Sequence, residues 1–106
     1  MRIYFKRTGG FAGIRLETMI DSDTLPPEEA AKLLDMVESA DFFSLPPKIT
    51  VREIGADQFQ YKVTIESKER QHSVEIQEPA ILPTLRPLLT WLTASAKKHN
   101  LYTQEA

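Results

Sequence analysis

The stretch Arg7-Thr8-Gly9-Gly10-Phe11-Ala12-Gly13-Ile14 lies between two segments, residues 2–7 and 14–20, in which apolar and polar residues alternate. Alternation with a period of two is typical of strands that bury one face. Glycine reaches positive φ without a steric cost, so three glycines this close together allow a tight reversal of the chain. The stretch therefore predicts a β-hairpin with Phe11 at its tip.

Phe11 has two interpretations, because a large apolar ring at a turn has no obvious core to enter. In the first, the ring folds back over the edge of the sheet. In the second, it is an anchor that a rigid sheet presents to the pocket of a partner. The residues alone leave both interpretations open.

The rest of the chain predicts two helices and three further strands. A helical apolar period runs from Glu28 to about Ala40, and a second begins near Thr84 and places Pro87 in its first turn. Asp21 and Asp23 precede the first helix and are expected to cap or turn the chain. Alternating runs predict strands at residues 49–54, 59–65 and 72–76.

These elements predict an α+β fold in one domain over residues 1–106, with the order β-β-α-β-β-β-α. We expect a mainly antiparallel sheet of about five strands, with two helices on one face, and frayed residues at the C-terminal end. A chain of 106 residues with 42% apolar residues has room for one core.

Charge and composition exclude several classes of function. The net charge of -2, without a basic cluster, disfavours nucleic-acid binding, and the absence of cysteine excludes disulfides and thiol chemistry. No stretch approaches the roughly 20 apolar residues of a membrane span, and no signal peptide is recognisable. We expect a cytoplasmic protein, with a monomer favoured.

No pattern for catalysis or for cofactor binding is present. His72 and His99 lack the spacing of metal ligands, and Asp21 with Asp23 is only part of a calcium-loop pattern. The glycines do not form a nucleotide-binding loop. The sequence predicts a non-enzymatic binding protein without a cofactor or a metal of its own.

Several segments together carry a resemblance to a known family. They are Gly9-Gly10-Phe11-Ala12-Gly13-Ile14, Asp23-Thr24-Leu25-Pro26 with Glu28-Glu29-Ala30-Ala31, Ala40-Asp41-Phe42-Phe43-Ser44-Leu45-Pro46, Gly55-Ala56-Asp57-Gln58-Phe59-Gln60-Tyr61 and Leu85-Arg86-Pro87-Leu88-Leu89. In order and spacing this combination resembles the emfourin family of bacterial proteins over nearly the whole chain. Each motif is short, and the specificity lies in their combination.

The resemblance implies an inhibitor of thermolysin-like zinc metallopeptidases of the protealysin type. In that family two neighbouring loops make the contact: an aspartate coordinates the catalytic zinc of the enzyme, and a hydrophobic loop enters the substrate-binding sites. Gly10, Phe11 and Ala12 are the candidates for the hydrophobic loop. The candidate aspartates, which the resemblance does not separate, are Asp21, Asp23 and Asp57.

Topology bears on which loops can act together. If the first helix crosses the sheet in the usual right-handed way, the second and third strands run parallel. Asp21, Asp23 and Asp57 would then lie at one end of the sheet and Phe11 at the other, whereas a helix lying across the strands would leave all the loops available. The alternative function is a small interaction module that binds a non-protease partner through the hairpin or a sheet edge.

Overall fold

The computed structural model describes residues 1–9, 15–50 and 58–99, apart from the side chain of His99. Its strands form one five-stranded sheet with the order β2-β1-β4-β5-β3. The strands are β1 (Arg2–Gly9), β2 (Leu16–Asp21), β3 (Lys48–Ile49), β4 (Phe59–Glu66) and β5 (Gln71–Gln77).

The pairing is antiparallel except at one edge of the sheet. β1 pairs with β2 and β4, and β4 pairs with β5, all antiparallel, which confirms the predicted hairpin and the mainly antiparallel sheet. The strand predicted at residues 49–54 was expected to begin another antiparallel set, and that is wrong. β3 contains only Lys48 and Ile49 and pairs parallel with β5. Residues 51–54 lie outside the described residues.

The two α-helices are α1 (Pro27–Ser39) and α2 (Arg86–His99). α1 matches the predicted helix to within one residue at each end. α2 begins two residues later than predicted, and Pro87 lies in its first turn, where the backbone N–H that proline lacks would have no intrahelical partner. Short 3₁₀ turns occur at Ser22–Thr24, Phe42–Ser44 and Glu78–Ala80.

Both helices cover the same face of the sheet, as predicted, and a single apolar core lies between the two layers. Period-two alternation in the strands and 3.6-residue spacing in the helices direct their apolar side chains into it. The buried side chains are Ile3, Phe5, Leu16, Ile20, Val63, Ile65, Val74 and Ile76 from the strands, Leu33, Val37, Leu88, Leu89, Leu92 and Ala96 from the helices, and Ala40, Phe42 and Leu85 from the residues beside them. Phe42 closes the seam between helix and sheet, as its position after α1 predicts.

The opposite face of the sheet is mainly polar, although Tyr4 and Met19 are exposed on it as register partners. Arg2, Lys6, Lys62 and Glu75 alternate with the core residues of their strands and face away from the helices. Within the described ranges, no helix is long and apolar enough to cross a membrane.

Candidate functional site

Two gaps in the described chain border the same end of the sheet. β1 ends at Gly9 and β4 begins at Phe59, and these two residues are direct partners in the β1–β4 register. Gly9 is the last described residue before the first gap, and Gln58 is the first described residue after the second gap. We call this end, where Gly9 lies beside Gln58 and Phe59, the Gly9 end. The segments 10–14 and 51–57 both join the sheet there.

Gly9 and Gln58 approach so closely that only glycine fits. Gly9 has a φ of 91°, in the region that favours glycine, and a Cβ placed on it would lie 2.7 Å from the backbone oxygen of Gln58. Real Cβ atoms do not make contacts that short. The glycine therefore allows β1 and the chain entering β4 to lie against each other.

Phe59 is held from three directions. The Arg7 guanidinium lies over its ring, 4.0 Å from the centroid, and the Tyr61 ring makes an edge contact at a centroid distance of 6.4 Å. Its backbone N–H donates to Oε1 of Glu78 over 2.9 Å. A cation over an aromatic face and a charge-assisted hydrogen bond are both favourable in partly buried positions. These contacts fix the start of β4 beside Gly9.

Tyr61 lies on the same face, two residues further along β4. Burial raises the pKa of its phenol above the ordinary value, because the charged form is poorly solvated there. The positive charges of the neighbouring Arg7 and Arg86 act against that increase in pKa. The polar contacts at the Gly9 end therefore include two arginines around one neutral tyrosine.

The opposite end of the sheet, which we call the Asp21 end, carries Asp21 and Asp23. Asp21 is the N-cap of a 3₁₀ turn, and its Oδ1 accepts from the backbone N–H of Asp23 over 3.0 Å. Its Oδ2 lies 3.7 Å from Nε of Arg2, and its backbone oxygen accepts from Oγ1 of Thr24 over 2.8 Å. The prediction that these aspartates cap or turn the chain is confirmed for Asp21, whereas the exposed Asp23 contributes its backbone.

The candidate site residues fall into two groups. Gly10, Phe11, Ala12 and Asp57 lie outside the described residues, and their proposed contact roles stay predictions. Asp21 and Asp23 lie at the Asp21 end. β1 spans the distance between the two ends, and Arg2 and Gly9, its first and last residues, are about 23 Å apart at a rise of about 3.3 Å per residue.

Of the two topologies that the sequence left open, the one in which the second and third strands run parallel does not occur. β2 and β3 occupy opposite edges of the sheet, and the chain of pairings makes them run in opposite directions. That topology would have placed Asp57 at the same end of the sheet as Asp21 and Asp23. Gln58, the neighbour of Asp57, instead lies beside Gly9, because β4 enters the sheet at the Gly9 end.

Sequence reasoning missed Arg7 and Glu78, which hold Phe59 in place. Arg7 had a visible signal: it follows Ile3 and Phe5 at the inward positions of β1, so its charge falls on the core face. Glu78 had none, because its partner is a backbone N–H 19 residues away in the chain. This contact exists only because the pairing of β4 with β5 brings the end of β5 beside the start of β4.

Metal-ligand geometry is absent from the described part of the chain. No group of three or more His, Cys, Asp or Glu side chains there could hold a metal ion. His72 is used structurally: its Nε2 lies 2.6 Å from the backbone oxygen of Leu45, and its ring packs edge-on against Phe42.

Comparison with known proteins gives one match. The model of the Emfourin family matches residues 5–93. No curated protein and no solved structure matches the chain. The matched range contains all seven strands and helices of the fold in whole or in part.

Proposed function

Because the chain belongs to the Emfourin family, a family of protease inhibitors, we propose that it inhibits a thermolysin-like zinc metallopeptidase of the protealysin type. It does so by inserting surface loops into the active-site cleft of the enzyme. The observation that carries this proposal is the family match over residues 5–93. The resemblance in the short motifs supports the choice of target.

We assign the contact with the protease to the Gly9 end. Consecutive Cα atoms are 3.8 Å apart, so Phe11 lies within about 8 Å of Gly9, and Asp57 within about 4 Å of Gln58. Gly9 and Gln58 are themselves in contact distance of each other. Chain connectivity therefore keeps the candidate hydrophobic loop and one candidate aspartate near each other. In this proposal Gly10, Phe11 and Ala12 fill a substrate subsite.

Asp57 is the aspartate that we propose for the zinc of the enzyme. A carboxylate oxygen coordinates zinc at about 2.0–2.2 Å. A carboxylate that already forms a hydrogen bond or an ion pair within its own chain would have to lose that contact first. Asp21 already caps a turn and faces Arg2, and with Asp23 it lies at the other end of β1. Neither supports contact with a cleft that also receives Phe11.

An inhibition assay tests the proposed function. The purified protein is titrated into a protealysin-type enzyme at a fixed concentration, and hydrolysis of a fluorogenic peptide is followed. We expect activity to fall to zero at a molar ratio near one, with a serine protease unaffected under the same conditions. Full protease activity in the presence of micromolar protein would show that the proposal is wrong.

A further inference from the structure

A groove runs between α2 and the Gly9 end of the sheet. Its volume is about 310 Å³, comparable with the smaller ligand clefts of proteins. Its polar lining is contributed by Arg7 and Tyr61 from the sheet and by Arg86, Thr90, Thr93 and Lys97 from α2. The four helical residues recur at intervals of four, three and four, so they share one face of α2. We call this cleft the α2 groove.

The α2 groove carries three cationic side chains that no described carboxylate neutralises. Arg7, Arg86 and Lys97 have no ion-pair partner among residues 1–9, 15–50 and 58–99, where the only two ion pairs join other residues. Nε of Arg7 is buried and finds no hydrogen-bond partner within the described part of the chain. Glu78, the nearby acid, accepts the Phe59 N–H. Among the described residues, the three cations therefore outnumber the nearby carboxylate of Glu78, which leaves a net positive charge at the groove. An unpaired buried donor is also costly.

The spacing of the charges indicates the shape of the ligand. Arg86 and Lys97 are 11 positions apart on one helix, which corresponds to about 16 Å along its axis. One small anion cannot contact both. Two residues four positions apart in an extended peptide are about 13 Å apart, and their side chains point to the same side. The lengths of the acidic side chains of the peptide and of Arg86 and Lys97 cover the difference between about 13 Å and about 16 Å.

The hydroxyls and the ring in the α2 groove suit a peptide. Thr90 lies between Arg86 and Lys97 on the helix, and its hydroxyl and the Tyr61 phenol line the groove and can form hydrogen bonds with a peptide backbone. Oγ1 of Thr93 donates to the backbone oxygen of Leu89 within the helix. The neutral phenol leaves the arginine charges in place. Phosphate binding along a nucleic acid is disfavoured by the net charge of -2.

We propose that the α2 groove binds an extended acidic segment of the protease partner, as a second contact beside the loops of the Gly9 end. The identity of the partner rests on the proposed function, whereas the charge and length of the segment follow from the groove. Because Arg7 and Tyr61 lie only two residues from Gly9 and Phe59 along their strands, one partner can cover both surfaces. Opposite charges there accelerate association.

The first experiment measures peptide binding without a protease. A blocked pentapeptide with glutamate at the first and last positions and serine between is titrated into the ¹⁵N-labelled protein, and amide shifts are followed. We expect shifts at Thr90 and Thr93 and an affinity about tenfold lower for the double variant Arg86→Gln, Lys97→Gln, which corresponds to about 0.7 kcal/mol for each of the two lost pairs. The variant Lys32→Gln, Lys68→Gln removes two exposed lysines elsewhere and should bind as the unaltered protein does.

Three outcomes would overturn the groove proposal. They are the absence of binding at millimolar peptide, equal binding of the peptide with glutamine in place of glutamate, and equal affinity of the double variant. Displacement of the peptide by an equimolar hexathymidylate would assign the groove to nucleic acid and overturn it as well. Circular dichroism of both double variants confirms that the fold is retained.

The second experiment measures association with the protease by stopped flow at several salt concentrations. We expect the Arg86→Gln, Lys97→Gln variant to associate about tenfold more slowly at low salt and to show a weaker salt dependence. An unchanged rate overturns the second contact. If the unaltered protein does not inhibit at all, the proposed function fails, and the peptide titration still decides whether the groove binds acidic segments.

Discussion

The Gly9 end and the Asp21 end of the sheet use their polar side chains in different ways. At the Asp21 end, the carboxylate of Asp21 accepts a hydrogen bond from the backbone N–H two residues further along the chain and forms an ion pair with Arg2 on the neighbouring strand. At the Gly9 end Glu78 and Arg7 act over longer sequence separations to hold Phe59 beside Gly9. The first arrangement completes a turn, whereas the second builds a rigid base where two chain segments join the sheet. A base of that kind is what a binding loop needs.

The largest expected effect separates the two ends by function. Asp57→Ala should weaken inhibition of a protealysin-type enzyme about 100-fold, equivalent to about 3 kcal/mol, because it removes the proposed zinc ligand. Asp21→Ala and Asp23→Ala should change the inhibition constant by less than about threefold, because the Asp21 end lies at the opposite end of the sheet from the proposed contact with the protease. Inhibition constants from substrate-hydrolysis assays measure all three.

Removal of zinc from the protease sharpens the same comparison. The unaltered protein should bind the zinc-free enzyme more weakly, while Asp57→Ala should bind the two forms of the enzyme equally. This double-mutant logic isolates the contact between carboxylate and metal. If Asp23→Ala instead abolishes the sensitivity to zinc, the Asp21 end is the contact surface and the assignment is wrong.

The second prediction concerns the close approach at the Gly9 end. Gly9→Ala should lower the free energy of unfolding by about 2 kcal/mol, because a Cβ would meet the Gln58 oxygen and the φ of 91° is unfavourable for alanine. Thr8→Ala is the matched control and should cost under about 1 kcal/mol. Urea denaturation measures both. Equal losses for the two variants would contradict the requirement for glycine.

The elements of the fold were readable from the sequence because their signals are local. α1 follows from apolar residues at helical spacing with Pro27 at its first turn, and β1 and β2 follow from alternation on both sides of Gly9. The order of the strands was not readable. β3 contains two residues, and its parallel pairing with β5 depends on where α1 and the following 3₁₀ turn deliver the chain.

The candidate site was readable only as a set of residues, not as an arrangement. Asp21, Asp23 and Asp57 are equivalent in sequence, since each is an acid in a predicted loop. What distinguishes them is the direction in which β2 and β4 run, and that direction is set by pairing across the whole sheet. The right-handed rule does not apply here, because it concerns parallel strands joined by one crossover, and β2 and β3 run antiparallel at opposite edges of the sheet.

The third prediction tests the base of the Gly9 end. Glu78→Ala should lower stability by about 1.5 kcal/mol, because the partly buried N–H of Phe59 loses a charged acceptor. Glu78→Gln keeps an acceptor oxygen and should lose less than half of that. Amide hydrogen exchange at Phe59 should accelerate in the alanine variant and stay near the original rate in the glutamine variant. Unchanged exchange in both would show that Glu78 does not hold the start of β4.

The smallest expected effect is at the Asp21 end, where a substitution should lower the stability of the protein and leave its inhibition of the protease unchanged. Asp21→Ala should lower the free energy of unfolding by about 1 kcal/mol, the usual loss for an N-cap, because the Asp23 N–H loses its acceptor. Asp21→Asn keeps a capping oxygen but removes the charge opposite Arg2, so thermal denaturation of the two variants separates the cap from the ion pair. A loss in the asparagine variant as large as that in the alanine variant would mean that the charge, and not the cap, accounts for the stabilisation. Because the cap lies about 23 Å from Gly9, this loss of stability should leave the inhibition constant unchanged, which is the sharpest sign that the two ends act independently.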